Sequence, residues 1–400
     1  MLPSTLRAIK KPFKAFTSSY NKQFWVMCAS SLLFFASFNL VIPELPGYLT
    51  SLGGGEHKGL IIGIFTLTAL LARPFSGRLA DTIGRVPVMV FGVVVCVVIG
   101  FLYPILDFVV GFFILRFFHG LSTGFTPTGN AAYVADIVPP NRRGEAMGLV
   151  GFFNSLGMAA GPILGSTLLI AFDGEYKWLF WISSALAFLS VLVFIGLPET
   201  LQNKQKMSWN HLKVTWADVY EPRVVVPSVV MALTAFSFGV VLTIVPDLCT
   251  QLGLENKGLF FTVFTLSSLL MRLIAGRASD QWGRANMLFV SASVIIISMV
   301  VIGLAQNVNT LLIGAAIFGI ALGINAPTIF AWTIDLSLEK FRGRAMATVY
   351  IALELGIGAG ALISGYVYAN QAERMPISFF VAAGLAFLAF LYLVVYKLKR

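Results

Sequence analysis

The sequence predicts an all-α membrane protein with twelve transmembrane helices in two pseudo-symmetric six-helix bundles. Three observations predict this fold: the chain is 58% hydrophobic and only 12% charged, its mean hydropathy is +0.85, and its two halves repeat each other. A surface with so few charges must face lipid. A bilayer core of about 30 Å needs about 20 apolar residues per helix. The 400 residues therefore leave room for a dozen spans.

The apolar runs are continuous rather than alternating, which predicts helices and excludes the tilted strands of a barrel. Reading between charged or turn-rich breaks places the spans at 24–49, 57–78, 86–105, 108–134, 145–171, 177–197, 225–250, 258–276, 285–305, 309–334, 344–369 and 376–396. The chain then divides into an N-terminal segment (1–23), a first bundle (24–198), a linker (199–224), a second bundle (225–396) and a tail (397–400).

The basic residues are distributed unevenly among the predicted loops. Most of the 28 Lys and Arg residues flank every second loop, the linker and the chain ends, whereas the opposite loops hold only Lys58, Lys177, Lys257 and Arg374. The positive-inside rule therefore predicts that both termini are cytoplasmic, and a bacterial inner membrane is the expected location. Because the net charge of +10 is spread over membrane-flanking loops, a nucleic-acid partner is not expected.

An offset of 199 residues aligns several distant features of the two halves. The aligned features are Glu56–Leu60 with Glu255–Leu259, Arg73 with Arg272, Gly77–Arg85 with Gly276–Arg284, Asp136 with Asp335, and Gly157 and Gly161 with Gly356 and Gly360. Two parallel repeats of this kind place a solute path at their interface, near the middle of the membrane.

The boundary between spans two and three carries a cluster of glycines and charges. Gly77 and Gly84 permit close packing and a tight turn. Asp81 and Arg85 can pair with each other or with Asp136 at the end of span four. The second half repeats the charges as Asp280, Arg284 and Asp335. Two copies at one offset favour a conformational latch over a merely solvated turn.

These motifs resemble those of the major facilitator superfamily, and the resemblance covers essentially the whole chain. Gly77-x-Leu79-Ala80-Asp81-x-x-Gly84-Arg85 is similar to the signature of that superfamily between spans two and three, and Arg116–Gly120 is similar to its arginine motif in span four. The resemblance implies the fold of that superfamily and alternating access.

Span five resembles a motif that is found mainly in the drug:proton antiporter branch, which implies export. Its small residues permit close helix packing, and its proline bends the helix, so Gly157, Gly161, Pro162 and Gly165 are the predicted hinge. Span one ends in Pro43-Glu44-Leu45-Pro46, similar to another pattern of these antiporters. Asn39 stands where some relatives carry an acid. Glu44 and Asp247, at outer span ends, are expected to be hydrated.

Five polar residues at membrane depth are the candidates for proton coupling or substrate contact: Asn39, Arg116, His119, Tyr350 and Glu354. Arg116 lies about 12 Å into span four, where an arginine is costly unless it faces a cavity or a partner. His119, one turn later, is either a titrating group or a hydrogen-bonded structural residue. Glu354 of span eleven, with Tyr350 on the same face, is the candidate coupling acid. Its structural alternatives are an ion pair with Arg116 or a hydrogen bond to Tyr350.

The binding cavity is predicted between spans 1, 4, 5, 7, 10 and 11. The candidate lining residues are Phe35, Phe38, Asn39, Arg116, His119, Asn154, Phe236, Asn325, Tyr350 and Glu354. Aromatic faces and a lone acid favour a flat or cationic solute, whereas Arg116 favours an anion, so the sign of the solute's charge stays open.

The predicted function is proton-coupled export of a small amphipathic or cationic solute by a monomer, without cofactor or metal. An importing symporter or facilitator for a sugar, a nucleoside or an organic acid is the alternative on the same scaffold. An enzyme is disfavoured because the sequence has no metal-ligand cluster, phosphate loop or nucleophile motif. A non-transporting sensor is disfavoured because no soluble signalling domain is evident.

Overall fold

The computed structural model describes residues 20–139, 143–208, 219–338 and 342–398. It does not describe the side chains of 143–145, 273, 276, 277, 342 and 343. Most of the predicted N-terminal segment (1–19), part of the predicted linker (209–218) and the end of the predicted tail (399–400) therefore lie outside the described residues. The division of the chain at 23, 198, 224 and 396 stays a prediction.

Twelve long helices run through the described residues, and each coincides with one predicted span. They are α1 Lys22–Val41, α2 Lys58–Thr82, α3 Arg85–Leu102, α4 Val109–Ile137, α5 Arg143–Ala171, α6 Tyr176–Val193, α7 Val225–Gln251, α8 Gly258–Trp282, α9 Arg284–Gly303, α10 Val308–Leu336, α11 Arg342–Tyr368 and α12 Met375–Leu398. A 3-10 turn at Ile42–Glu44 and a short helix at Leu45–Ser51 extend α1. The prediction of an all-α fold with twelve spans is confirmed.

The outer surface of this fold is apolar. Within the described residues, eleven helices are long and apolar enough to cross a membrane, and α8 contributes a shorter apolar stretch, Gly258–Arg272. Large aliphatic side chains such as Val110 and Leu270 point outward and are 63% and 67% exposed. In water these side chains would be a liability, whereas lipid covers them without cost. The chain is a multi-pass integral membrane protein.

The first six helices and the last six form two bundles that use equivalent helix pairs. In the first bundle α1 packs on α5 and α6, while α2 and α3 pack on α4. In the second bundle α7 packs on α11 and α12, while α8 and α9 pack on α10. The bundles meet through α2 against α11 and α5 against α8. This pseudo-twofold arrangement is the one that the internal repeat predicted.

The predicted hinge residues of α5 lie where that helix packs closely on α1. A Cβ atom at Gly157 would lie 2.6 Å from the Leu32 carbonyl oxygen, and one at Gly161 would lie 2.7 Å from the Ala36 carbonyl oxygen. Only glycine allows the two backbones to approach so closely. Pro162 lies inside α5, and its carbonyl group faces the start of α8.

The molecule has two ends, which we name by their connections. The linker end carries the connection between the bundles and the end of α12: Gln205 donates its backbone N–H to the Thr82 carbonyl at 2.9 Å, and Lys397 Nζ donates to Asn286 Oδ1 at 2.9 Å. The far end carries the α1–α2 and α7–α8 connections.

Substituting one hinge glycine should test the contact between α1 and α5. A Cβ atom at Gly165 would overlap the carbonyl group of Leu40 in α1. Gly165→Ala is therefore expected to lower the unfolding temperature of the detergent-purified protein, because overpacking typically costs about 1–3 kcal/mol.

Gly151 of the same helix is the matched control, because an added Cβ there meets no atom of the described part of the chain within 4 Å. Gly151→Ala should leave the unfolding temperature unchanged or raise it, since alanine is the better helix former. Equal effects of the two substitutions would contradict the close-packing role.

Candidate functional site

Two ion pairs join the bundles at the far end. Lys58, at the start of α2, pairs with Asp247 of α7, and its Nζ also donates to Asn370 Oδ1 at 2.9 Å. Lys257, just before α8, has its Nζ 3.2 Å from Glu44 Oε2. The two lysines are 199 residues apart in the sequence, as in the internal repeat, whereas Glu44 and Asp247 are 203 residues apart. Both acids follow a proline, so the two pairs have similar but not identical positions. Each lysine reaches a carboxylate at the end of the first helix of the opposite bundle.

The surroundings of these carboxylates are dry. Glu44 is 2% exposed, its Oε1 accepts a hydrogen bond from Ser166 Oγ at 2.6 Å, and Ser166 Oγ in turn accepts the Gly258 N–H at 3.0 Å. The side chain of Asp247 is 15% exposed. The expectation that both acids are hydrated is wrong, because lysines from the opposite bundle cover and neutralise them.

A third ion pair joins α2 to α11 deeper in the membrane. Arg73 Nη2 lies 2.8 Å from Glu354 Oε1, and the guanidinium stacks over the Tyr350 ring at 4.6 Å. The side chain of Glu354 is only 9% exposed. Glu354 and Tyr350 therefore lie together, but the cation beside them is Arg73 of the other bundle. The alternative of an ion pair between Glu354 and Arg116 is wrong.

The equivalent position between α5 and α8 has a different composition. Arg272 follows Arg73 by 199 residues, and Glu354 follows Ser155 by the same 199 residues. Here Arg272 Nη1 donates to Ser155 Oγ at 3.4 Å, so a hydroxyl stands in the place of a carboxylate. The two repeats therefore share the arginine, but only Arg73 has a carboxylate opposite it.

Beyond these contacts the bundles separate toward the linker end. Gly77 follows Arg73 by one helical turn on the same face of α2, and Gly151 precedes Ser155 by one turn on α5. No atom of the described residues lies within 4 Å of a Cβ atom built at either glycine. Near the far end, by contrast, a Cβ atom at Gly59 of α2 would lie 3.1 Å from the Gly365 Cα of α11.

As far as the described residues show, the cleft between the bundles is thus closed at the far end and open toward the linker end. The expectation that Gly77 packs closely is wrong in this conformation, because the α11 backbone has diverged from α2 at that depth.

The predicted latch charges form one cluster in each bundle at the linker end. In the first, Arg85 Nη1 lies 2.6 Å from Asp81 Oδ1 and Arg85 Nε lies 3.1 Å from Asp136 Oδ2. The second repeats this geometry, with Arg284 at 2.5 Å from Asp280 and 2.9 Å from Asp335. Each cluster ties three helices of one bundle together. Among the described residues, no ion pair of either cluster crosses to the other bundle.

Two further acids at the linker end went unrecognised in the sequence. Glu199 accepts the backbone N–H groups of Arg85 at 2.9 Å and Val86 at 3.1 Å, where Gly84 (φ +132°) begins α3. Glu221, before α7, accepts a hydrogen bond from Arg344 Nη2 at 2.7 Å, and this bond holds the pKa of Glu221 below its usual range. Glu221 is therefore ionised at neutral pH and anchors α11 permanently.

Arg116 and His119 lie inside the first bundle rather than in the cleft. Arg116 is fully buried, its Nε donates to the Ile61 carbonyl at 2.9 Å, and its guanidinium lies 4.4 Å from the Phe65 ring centre. Its Nη1 and Nη2 atoms have no hydrogen-bond partner among the described residues. His119 Nδ1 lies 3.2 Å from the Tyr103 hydroxyl. Its Nε2 faces Cys96.

Other predicted lining residues are also enclosed. Asn325 is 3% exposed, accepts from Thr234 Oγ1 at 3.2 Å and donates to Ser291 Oγ at 3.1 Å, so it ties helices of the second bundle together. Phe236 is 3% exposed against α11. Their assignment to the cavity lining is wrong, because helices that are apolar on all sides give no sequence signal for the face that meets the cleft.

The predicted lining residues of α1 and α5 pack against neighbouring helices. Within α1, Asn39 Nδ2 donates to the Phe35 carbonyl at 2.7 Å. Phe35 faces α5, since a Cβ atom built at Gly157 would lie 3.0 Å from the Phe35 Cβ. Phe38 stacks on Phe65 at 5.0 Å. Asn154 of α5 has a buried amide oxygen without a hydrogen-bond partner among the described residues.

The charges that span the cleft were not selected from the sequence as site residues. Lys58, Lys257, Arg73 and Arg272 each occur at equal positions in the two halves. A charge that is kept in both repeats within or beside an apolar span was the signal that could have identified them.

The comparisons with known proteins agree with this architecture. The profile of the Major Facilitator Superfamily matches residues 27–257 and 227–400. Multidrug resistance protein MdtG of Salmonella arizonae is 26% identical over 374 residues, covering 90% of this chain and 91% of that protein.

Solved structures share the fold at lower identity. The human organic anion transporter MFSD10 (TETRAN) has a TM-score of 0.72 at 21% identity, covering 92% of this chain and 98% of that one. A D-xylose-proton symporter has a TM-score of 0.76 at 17% identity, covering 92% and 96%. The profile match over both halves shows that the chain belongs to the Major Facilitator Superfamily, whose members are transporters rather than enzymes.

Proposed function

We propose that the protein is a proton-coupled antiporter that exports a small amphipathic solute by alternating access, with its linker end in the cytoplasm. The observation that carries this proposal is the ion pair between Arg73 and Glu354, which joins the two bundles through a buried carboxylate at 2.8 Å. A carboxylate in this position couples protonation to the contact between bundles.

Protonation of Glu354 removes the negative charge that holds Arg73. In a low-dielectric cleft, an ion pair is favourable only while both members are charged, and loss of one partner strongly destabilises the contact. The α2–α11 contact is therefore firm when Glu354 is ionised and weak when it is protonated. With the cleft open at the linker end, Glu354 gives its proton to the cytoplasm and pairs with Arg73.

The far-end pairs, Lys58–Asp247 and Lys257–Glu44, act as the external gate. Both pairs must break before the cleft opens outward, and they are two similar contacts on either side of the pseudo-twofold axis. The clusters around Arg85 and Arg284 keep each bundle rigid at the linker end, so that one bundle rotates against the other as a body.

Two arguments bear on direction and sidedness. The relative MdtG is named a multidrug resistance protein, and α5 carries the glycine-proline pattern typical of exporters. Arg85, Arg284, Arg344 and Lys397 lie at the linker end, which supports a cytoplasmic position for that end. The argument that a lone acid attracts a cationic solute no longer applies, because Arg73 already neutralises Glu354.

The alternative is proton symport on the same scaffold, since a D-xylose-proton symporter shares the fold. Both functions use a protonatable acid in the cleft. They differ in the compartment that gains solute when a pH gradient is imposed across a vesicle membrane.

The direction of coupling is tested in proteoliposomes with a solute selected by thermal-shift screening of the purified protein. Antiport predicts that the solute accumulates in the compartment from which protons flow, because the two move in opposite directions. Accumulation in the compartment that receives the protons would establish symport instead.

Glu354→Gln should abolish proton-driven accumulation to the level of empty vesicles, because glutamine cannot exchange a proton. Solute counterflow, which needs no net proton movement, should persist. Glu373→Gln, at an exposed acid of the α11–α12 connection, is the control and should behave like the wild type. Proton-driven accumulation that survives in Glu354→Gln would remove this residue from the coupling mechanism.

The gate is tested by exchanging charges. Asp247→Asn leaves Lys58, which is 6% exposed, without its counter-charge, and removal of one member of a buried pair typically costs about 3–5 kcal/mol. Thr66 of α2 packs against α11, since a Cβ atom built at Gly358 would lie 2.7 Å from the Thr66 hydroxyl oxygen. A cysteine in place of Thr66 should therefore react at least about tenfold faster with an impermeant maleimide when the gate is weakened.

This labelling uses a background in which Cys28, Cys96 and Cys249 are alanine. The double change Lys58→Asp/Asp247→Lys restores opposite charges and should return labelling to the slow rate. If the double change labels as fast as Asp247→Asn, the gate does not depend on this pair.

A further inference from the structure

We propose that Arg272 binds an anionic group, such as a carboxylate or a sulfonate, on the transported solute. This inference rests on the proposed function, because it assigns the charge of the solute that the cleft accepts. Four observations support it: a broken symmetry, the direction of the side chain, its depth and the balance of charge in the membrane interior.

The internal repeat indicates what Arg272 lacks. Its equivalent, Arg73, is neutralised by Glu354 at 2.8 Å, whereas Arg272 meets Ser155 Oγ at 3.4 Å. A hydroxyl at that distance is a weak acceptor and carries no charge. Among the described residues, Arg272 forms no ion pair. The α5–α8 contact therefore matches the α2–α11 contact except that Ser155 stands where the carboxylate of Glu354 would be.

Arg272 points into the cleft rather than toward lipid. Leu270 and Ile274 are 67% and 62% exposed on the outer face of α8. Residues two positions before or after them in a helix lie about 200° around the axis, on the opposite face. Arg272 occupies that face, is itself exposed, and reaches α5 of the other bundle. Its exposure is therefore to the space between the bundles.

The depth of Arg272 makes an unpaired charge costly. It lies 14 residues after Gly258, where α8 begins at the far end. This places Arg272 about 21 Å along the helix, level with Arg73 in α2. A guanidinium inside the membrane without a counter-charge costs several kcal/mol, and such residues generally mark a path for substrate or ions.

The balance of charge in the membrane interior favours an anionic solute. Arg73, Arg116 and Arg272 contribute three positive charges among the described helices, and Glu354 contributes one negative charge. Arg116 is sealed beneath the Phe65 ring and Arg73 is paired. Among the described side chains of the membrane interior, Arg272 is therefore the arginine that a solute entering from the linker end can pair with. A guanidinium binds carboxylates and sulfonates through two parallel hydrogen bonds, whereas it repels a cation.

The test measures equilibrium binding of two dyes that share a xanthene ring but differ in charge. Anionic fluorescein and cationic rhodamine 6G are titrated into purified full-length protein, and binding is followed by fluorescence anisotropy. Wild type should bind fluorescein about tenfold tighter than rhodamine 6G or more, as expected when one charge pair is made or opposed in a desolvated site. Equal affinities, tighter binding of rhodamine 6G or no binding of fluorescein would overturn the proposal.

Substitutions at Arg272 and at Ser155 distinguish an effect of charge on dye binding from a steric effect. Arg272→Gln should weaken fluorescein binding about tenfold and leave rhodamine 6G binding unchanged or tighter, while Arg272→Lys should retain most of the preference. Ser155→Glu supplies the missing carboxylate and should weaken fluorescein binding as much as Arg272→Gln does.

Ser155→Gln has the same size without the charge, and fluorescein binding should stay at the wild-type level. If Ser155→Glu and Ser155→Gln weaken it equally, the effect is steric and the anion site is wrong. The titrations use no pH gradient. A failure of proton coupling through Glu354 therefore leaves the dye preference intact, and the two proposals fail separately.

Discussion

The relative position of the two bundles is set by the need to pair charges in a dry interface. Every helix here is apolar, and lipid is as good a neighbour for an apolar side chain as another helix, so burial of apolar surface alone cannot hold the bundles together. Opposite charges can. Lys58 and Lys257 at the far end and Arg73 at greater depth each reach a carboxylate of the opposite bundle. Removing one partner of such a pair leaves an uncompensated charge in a low-dielectric site, so each pair specifies which residues face each other in the closed interface.

The pseudo-twofold repeat assigns different roles to these pairs. At the far end the symmetry is approximately kept, since both lysines find a carboxylate, and similar contacts on two sides of an axis close an opening evenly. Deeper in the cleft the symmetry is broken at one position, where Ser155 replaces the equivalent of Glu354. One side then holds an arginine paired with a carboxylate, and the other holds an arginine opposite a hydroxyl. The proposed proton coupling and the proposed anion binding both rest on this difference. The functional chemistry is concentrated at the departure from symmetry.

The sequence predicted the fold well because helix length and internal repetition are properties of the chain itself. All twelve helices, their order and their pairing into bundles follow from apolar run lengths and the 199-residue offset. The residues that face each other across the cleft were harder to predict than the helices, because these pairings depend on the rotation of each helix about its axis. Asn325 was assigned to the cavity although it ties together helices of its own bundle, and Glu44 was assigned to water although Lys257 covers it. Arg116 was assigned to the cavity as a costly charge, but its neighbours are the Phe65 ring and the Ile61 carbonyl inside the first bundle.

We propose that ionisation of Glu354 sets the opening between the bundles at the linker end. Spin labels on cysteines at Gly77 of α2 and Ala347 of α11, with the native cysteines replaced, report that opening through double electron–electron resonance distances. Lowering the pH should move the population from the long distance of the open linker end to a short one, and Glu354→Gln should remove this dependence on pH. A pH-dependent shift that persists in Glu354→Gln, or a wild-type distance that does not respond to pH, would contradict the account.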